Sequence, residues 1–307
     1  MKNKITIIGA GFVGSTTAYS LIAANITEEI AIIDINKKLA ISQVMDLQHS
    51  VPFWGYTKVK VGSYKDVSDS KIVIICCGAK QKPGESRLDL VKKNSAIIED
   101  VAVQVFKNNP NVIVLMVTNP VDVLTYLTIK KFPKNKKRII GTGTILDSAR
   151  FRFLLGQYLN VNPQSVHAYI VGEHGDSEVP LWSTASIGNT LVRKFKQISP
   201  EIKKDIFQKA KNAAYAIIEG KQATYYAIAA GTTQIVESIL FDKKRVLPIS
   251  YYLEGEYGIK DVCLSLPVVL GRDGVIERLE IDIDAEEKRL LKESARKIKK
   301  VANSLSE

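Results

Sequence analysis

Ile5-Thr6-Ile7-Ile8-Gly9-Ala10-Gly11-Phe12-Val13-Gly14 lies near the start of a 307-residue chain, and its reading decides the fold. Ile5–Ile8 reads as a buried strand. Three glycines at G-x-G-x-x-G spacing follow, and they read as a tight turn that opens a helix over about Gly11–Ala24. In such a turn the first glycine permits the sharp reversal and the second lets the backbone approach a pyrophosphate. The third lets helix and strand pack closely. The helix N-terminus then offers N–H groups and a partial positive charge to phosphate. The spacing alone is weak, but Asp34 stands twenty residues past the last glycine, in the next apolar run, Ile30–Ile35. A carboxylate there accepts from both ribose hydroxyls and repels a 2′-phosphate. The site is therefore expected to take NAD rather than NADP.

Outward from that stretch, strand-like and helix-like segments alternate, the pattern of parallel βαβ units. A helix is expected over Lys38–His49. Ile72–Cys77 and Val112–Val117 are near-continuous apolar runs, as in strands covered on both faces. A loop, Gly78–Arg87, and a long helix, Leu88–Asn108, lie between them. From about Gly143 the rhythm changes. Helices are expected over Thr144–Asn160, Glu201–Glu219, Thr224–Leu240 and Ala285–Asn303. Strands are expected at Ser165–Val171, Arg245–Tyr251, Val262–Val269 and Val275–Ile281. The fold class is α/β: a Rossmann-type doubly wound parallel sheet over residues 1–143, followed by an α+β substrate domain over 144–307.

Composition narrows the function. Apolar residues make up 46% and charged residues 24% of the chain, which argues against disorder. No apolar run approaches the roughly 18–20 residues of a membrane helix, and the start of the chain carries no signal-peptide core. Cys76, Cys77 and Cys263 cannot make a disulfide framework. With three histidines in the chain there is no zinc spacing, so no metal is expected. A cytoplasmic protein with no membrane partner is the expectation. The net charge is +11, with +9 in residues 1–150. The densest run, Lys130–Arg138, has six basic residues in nine, but only Phe132 is available for base stacking. It reads as a solvated connector, and no nucleic-acid partner is expected.

The chemistry points to a second set of residues. His174 stands in Gly172-Glu173-His174-Gly175-Asp176, just after an apolar strand. Asp147 and Arg150 are three apart on an expected helix and share a face. Arg87 ends a Pro-Gly-containing loop after a parallel strand, where ligands bind and lids form. Asn119 lies in Thr118-Asn119-Pro120-Val121-Asp122, after another strand. Singly, each has a plainer reading: a surface histidine, a solvated helix face, a loop cap, a turn residue.

Taken together, GAGFVGS, GAKQKPGESRLDLVKKN, VTNPVD, GTILDSARFRFLLG, GEHGDS and ATYYAIA resemble bacterial-type L-lactate dehydrogenases of the lactate/malate dehydrogenase superfamily, in order and over nearly the whole chain. The resemblance implies reversible NADH-dependent reduction of pyruvate to L-lactate. His174 is then the acid–base residue, Asp147 its partner, Arg150 the clamp on the substrate carboxylate and Arg87 a stabiliser of charge on the carbonyl oxygen. Asn119 adds a hydrogen bond, and Thr224 lines the pocket. Val13, Tyr64, Gly78, Ala79, Thr118, Asn119 and Thr142 match cofactor-contact positions. Gln81 carries the substrate choice. Malate dehydrogenases have arginine at the matching position, to pair the second carboxylate of oxaloacetate; an amide leaves that charge unpaired. Arg152 and His167 match the pair that binds fructose 1,6-bisphosphate, a site between subunits that implies a homotetramer. Malate or another 2-hydroxyacid is the alternative substrate. An NAD-dependent glycosidase and a basic NAD-binding protein that contacts RNA are more distant readings.

Overall fold

The structure is a computed structural model that describes residues 3–79 and 87–305, with the side chain of residue 87 excluded. Six strands, β1 (Lys4–Ile8), β2 (Glu29–Ile33), β3 (Lys58–Val61), β4 (Ile72–Ile75), β5 (Ile113–Met116) and β6 (Ile139–Gly141), run parallel in the order β3-β2-β1-β4-β5-β6. Every residue of β1, β4 and β5 is buried. Their Ile- and Val-rich sequences suit strands covered on both faces. The strand order reverses between β1 and β4, and in open α/β sheets ligands bind outside the carboxyl ends of the strands at such a point.

Helices α1 (Phe12–Ala23), α2 (Lys37–Ser50), α3 (Arg87–Asn108) and α4 (Val121–Lys131) connect these strands. The second half adds α5 (Ile145–Leu159), α6 (Pro200–Lys221), α7 (Tyr226–Leu240) and α8 (Ala285–Asn303). Helix ends follow local chemistry. The Ser199 hydroxyl caps α6, with Pro200 in its first turn. A reciprocal Asp284/Glu287 capping box starts α8 at the expected residue.

β12 (Arg245–Glu254), β13 (Lys260–Gly271) and β14 (Gly274–Arg278) form an antiparallel meander. It joins the parallel sheet edge-on through Ser250 opposite Gly141, which makes nine continuous strands. One apolar core accordingly runs across both halves, from Ile5 and Leu115 to Ile249, Leu264 and Leu291. The strand expected over Ser165–Val171 is two short ones. β7 (Val166–His167) pairs with β10 (Ser186–Ile187), whereas β8 (Ile170–Val171) pairs with β9 (Val179–Pro180). β10 also pairs with β11 (Thr190–Leu191).

Four cations of the Lys130–Arg138 run are neutralised by acids from other elements: Lys130 by Asp261, Lys131 by Glu99, Lys136 by Glu254 and Arg138 by Asp273. All three cysteines are free thiols. Among the described residues no helix is long and apolar enough to cross a membrane.

Candidate active site

The glycine turn behaves as its spacing predicts. Gly9 has φ of +109°, and a Cβ there would lie 2.7 Å from the Cys77 nitrogen. A Cβ on Gly14 would sit 1.9 Å from the Gly9 carbonyl oxygen, so α1 can approach β1 only without one. Gly11 differs: nothing lies within 4 Å of where its Cβ would be. That open space fronts an α1 N-terminus that no side chain caps. Asp34, just past β2, accepts from the Ala10 N–H at 2.7 Å and from the Asn36 N–H at 2.8 Å, one on each carboxylate oxygen. The acid is thereby fixed against the glycine turn with lone pairs left for ribose hydroxyls. An open cradle at a helix N-terminus beside an oriented acid fits a dinucleotide.

The other expected cofactor-contact residues lie in or next to the loops and elements around the glycine turn, β4, β5 and β6. The Thr118 hydroxyl donates to the Cys77 carbonyl at 2.7 Å, and a Cβ on Gly78 would meet the Thr118 methyl at 2.9 Å. Buried Thr142 donates its N–H to the Met116 carbonyl. Val13 packs on the core from the first turn of α1. Burial pushes the Tyr64 phenol upward in pKa, with Cys77 and Asp100 nearby. Asn94 of α3, unforeseen, ties the two loops together. Its side-chain oxygen accepts from the Ala79 N–H at 2.8 Å, and its amide nitrogen donates to the Asn119 carbonyl at 3.2 Å. Asn119 and Pro120 are joined by a cis peptide.

The reaction residues converge. Asn119, Asp147, Arg150 and His174 line one cavity of about 540 Å³, walled on its apolar side by Val91 of α3 and Ile298 and Val301 of α8. Asp147, buried on the first turn of α5, splits its carboxylate. One oxygen lies 2.5 Å from His174 Nδ1, and the other accepts from Arg150 Nη1 at 3.0 Å. Asp122 of α4, also unforeseen, accepts the His174 backbone N–H at 2.7 Å. Ring and main chain of His174 are thus held from two helices.

These contacts set the charge states. Burial works most strongly against a charged His174. The attractions of Asp147, Asp122 and Glu178 and the Asp147 hydrogen bond outweigh it, and the pKa rises to about 9. Burial likewise opposes an ionised Asp147, but His174 and Arg150 hold it below the usual carboxylate range. Asp122 is pushed up to about 6, by burial first. The pair at neutral pH is therefore imidazolium and carboxylate, a proton donor beside a fixed anion-binding guanidinium.

The remaining expected residues are spread more widely. Gln81 lies outside the described residues. Arg87 opens α3, next to Leu88 on the cavity wall, but its side chain also lies outside them. Thr224 is absent from the cavity lining and precedes α7, while its neighbour Tyr225 stacks on Phe12 of the glycine turn at 5.4 Å. Arg152 and His167 sit on α5 and β7, elements packed on each other. Burial lowers the Arg152 pKa; its Nε donates to the Ser148 carbonyl at 3.4 Å, and among the described residues no carboxylate pairs with it. His167 is exposed.

Residues 3–141 match the family model described as lactate/malate dehydrogenase, NAD binding domain, and residues 144–307 match that of the lactate/malate dehydrogenase alpha/beta C-terminal domain. The chain belongs to the lactate/malate dehydrogenase family. Like its family it is an NAD-dependent oxidoreductase. It is 47% identical to the L-lactate dehydrogenase of Acetivibrio thermocellus, over 98% of this chain and 97% of that protein. It is 46% identical to that of Thermoanaerobacter pseudethanolicus, over 99% of each. Its fold is similar to the minor L-lactate dehydrogenase from Enterococcus mundtii solved in a ligands-bound form, with a TM-score of 0.96 and 38% identity over 99% of this chain and 98% of that one.

Proposed function

We propose that the chain is an L-lactate dehydrogenase that reduces pyruvate to L-lactate reversibly, with His174 as the acid–base residue. The observation that carries this reading is one carboxylate, Asp147, binding both His174 and Arg150 on the wall of a single cavity. Arg150 takes the substrate carboxylate in its fork and fixes the molecule's orientation. The protonated His174 ring turns its outer nitrogen to the carbonyl oxygen and gives up its proton as that oxygen gains charge. Asp147 keeps the ring in register and favours its charged form until the transfer. In the reverse direction the neutral ring takes the hydroxyl proton. Gly9, Gly11 and Asp34 would hold NADH, which when bound would supply the hydride for the carbonyl carbon. Asn119 adds a hydrogen bond at the reacting oxygen. Arg87 stabilises charge there.

Gln81 assigns pyruvate rather than oxaloacetate: a neutral amide offers no partner for a second carboxylate, and an unpaired buried charge is costly. Arg152 and His167 form the cationic pair for fructose 1,6-bisphosphate, a reading supported by the half-buried guanidinium with no carboxylate beside it among the described residues. The protein works as a cytoplasmic homotetramer. Exposed Ile41, Met45, Phe53 and Trp54, on α2 and just beyond it, suit burial against a second copy. The test is NADH oxidation with pyruvate, oxaloacetate and 2-oxoisocaproate, each with and without the bisphosphate. Pyruvate is expected to lead, with its saturation curve shifted leftward by the effector. A preference for oxaloacetate overturns the Gln81 assignment, and an unmoved curve removes the effector.

A further inference from the structure

The cavity holds a second buried carboxylate that the mechanism does not use. Glu178, just before β9, is 7% exposed and lines the cavity beside Asp147, Arg150 and His174. Its Oε1 is buried and has no hydrogen-bond partner among the described residues. Asp147 already engages His174 and Arg150, one with each oxygen. Glu178 is therefore a surplus acid in a compartment that must also admit the carboxylate of a 2-oxoacid, the substrate class proposed above.

We propose that Glu178 stands in this wall as a neutral, protonated acid, and that it must keep its proton for the substrate anion to bind beside Arg150. The groups around it support that state. Asp147 from α5 repels the ionised form, whereas His174, Arg150 and Lys211 of α6 attract it. Glu173 and Asp176 lie on the rim of the same cavity, and Lys211 spends a hydrogen bond on the Asp176 carbonyl at 2.7 Å. Burial is the largest influence and Asp147 the next, and together they push the Glu178 pKa up to about 8. Ionised, Glu178 competes with the substrate for Arg150 and places like charge near the incoming carboxylate. Substrate affinity is thus linked to a proton that is never transferred to substrate.

The experiment measures kcat and KM for pyruvate from about pH 6 to about pH 10 in the wild type and in Glu178→Gln. In the wild type KM rises in two steps, one from Glu178 and a later one from His174. Glu178→Gln loses the first step. Its KM at about pH 9 is about tenfold below the wild type, and the remaining His174 step moves to lower pH, because the variant lacks a charge that helps to raise the ring. Glu178→Met, neutral and of similar length, gives the same loss and covers the case in which the amide folds poorly. KM profiles that superimpose on the wild type, or keep both steps, overturn the inference. Failure to reduce any 2-oxoacid in the wild type at about pH 7 would instead defeat the proposed function.

Discussion

Replacing Asp147 by asparagine removes the charge that both His174 and Arg150 use while nearly preserving shape. His174 is raised to about 9 against its own burial, and the attraction and hydrogen bond of Asp147 are the main upward influences. Without them only Asp122 and Glu178 oppose the burial of the ring and its pKa falls; with the ordinary 6.5 taken as the endpoint, the drop is about 2.5 units, or roughly 3.4 kcal/mol of lost preference for the charged ring. At about pH 8 the protonated fraction falls from roughly nine-tenths to about three-hundredths, so kcat/KM for pyruvate reduction drops about thirtyfold from protonation alone. At about pH 6 the protonation deficit is less than twofold. The assay is the pH dependence of kcat/KM for pyruvate, with NADH affinity measured separately by fluorescence. The His174 step of the profile, distinct from the Glu178 step, should move from about 9 toward about 6.5. An Asp147→Asn enzyme whose His174 step stays near its wild-type position refutes the reasoning, because the ring's charge would then not depend on this carboxylate.

Arg150→Lys keeps the charge but loses the fork that holds a carboxylate and the bond to Asp147. It should raise pyruvate KM by about one to two orders of magnitude in steady-state assays and leave NADH binding intact. Gly14→Ala brings a methyl group into the Gly9 carbonyl. It should weaken NADH binding and lower the melting temperature, both readable by fluorescence titration and thermal unfolding. Stability should fall with alkalinity. The His174 contribution is complete below its unfolded value of 6.5 and is lost as pH rises through about 9. Glu178, raised to about 8, acts in the same direction, favouring the folded state less as pH climbs above its ordinary 4.5. The melting temperature should therefore drop between about pH 6.5 and about pH 9.5, and less so in Asp147→Asn.

The sequence was most legible where a local pattern carries its own physical cause. The glycine turn, the acid after β2 and the Asp147/Arg150 helix face depend on spacing within one element, and each stands where spacing put it. Asn94, Asp122 and Glu178 were missed for a common reason. Each is a polar residue that only the packing of distant segments buries. Asn94 looks like one more polar residue after Lys92 and Lys93 until the loops after β4 and β5 close on it. Asp122 offered the strongest signal, an acid in a first helical turn directly after Pro120 and Val121. The run Ser165–Val171 reads as one strand because its buried and outward residues alternate; the strands that pair with each half come from later in the chain.

The seam between β6 and β12 bears on how such a chain can be cut and recombined. Gly141 sits there against Ser250 so tightly that a methyl group would touch Thr125, Val121 and Ser250 at 3.0 Å or less. A fragment ending near residue 143 would carry every residue proposed to hold the coenzyme yet end in a strand, Ile139–Gly141, that has lost its β12 partner and is wholly buried in the intact chain. Such an edge recruits another copy as readily as its own missing half. Chimeras between relatives should therefore join at exposed loops and keep β6 and β12 from the same parent.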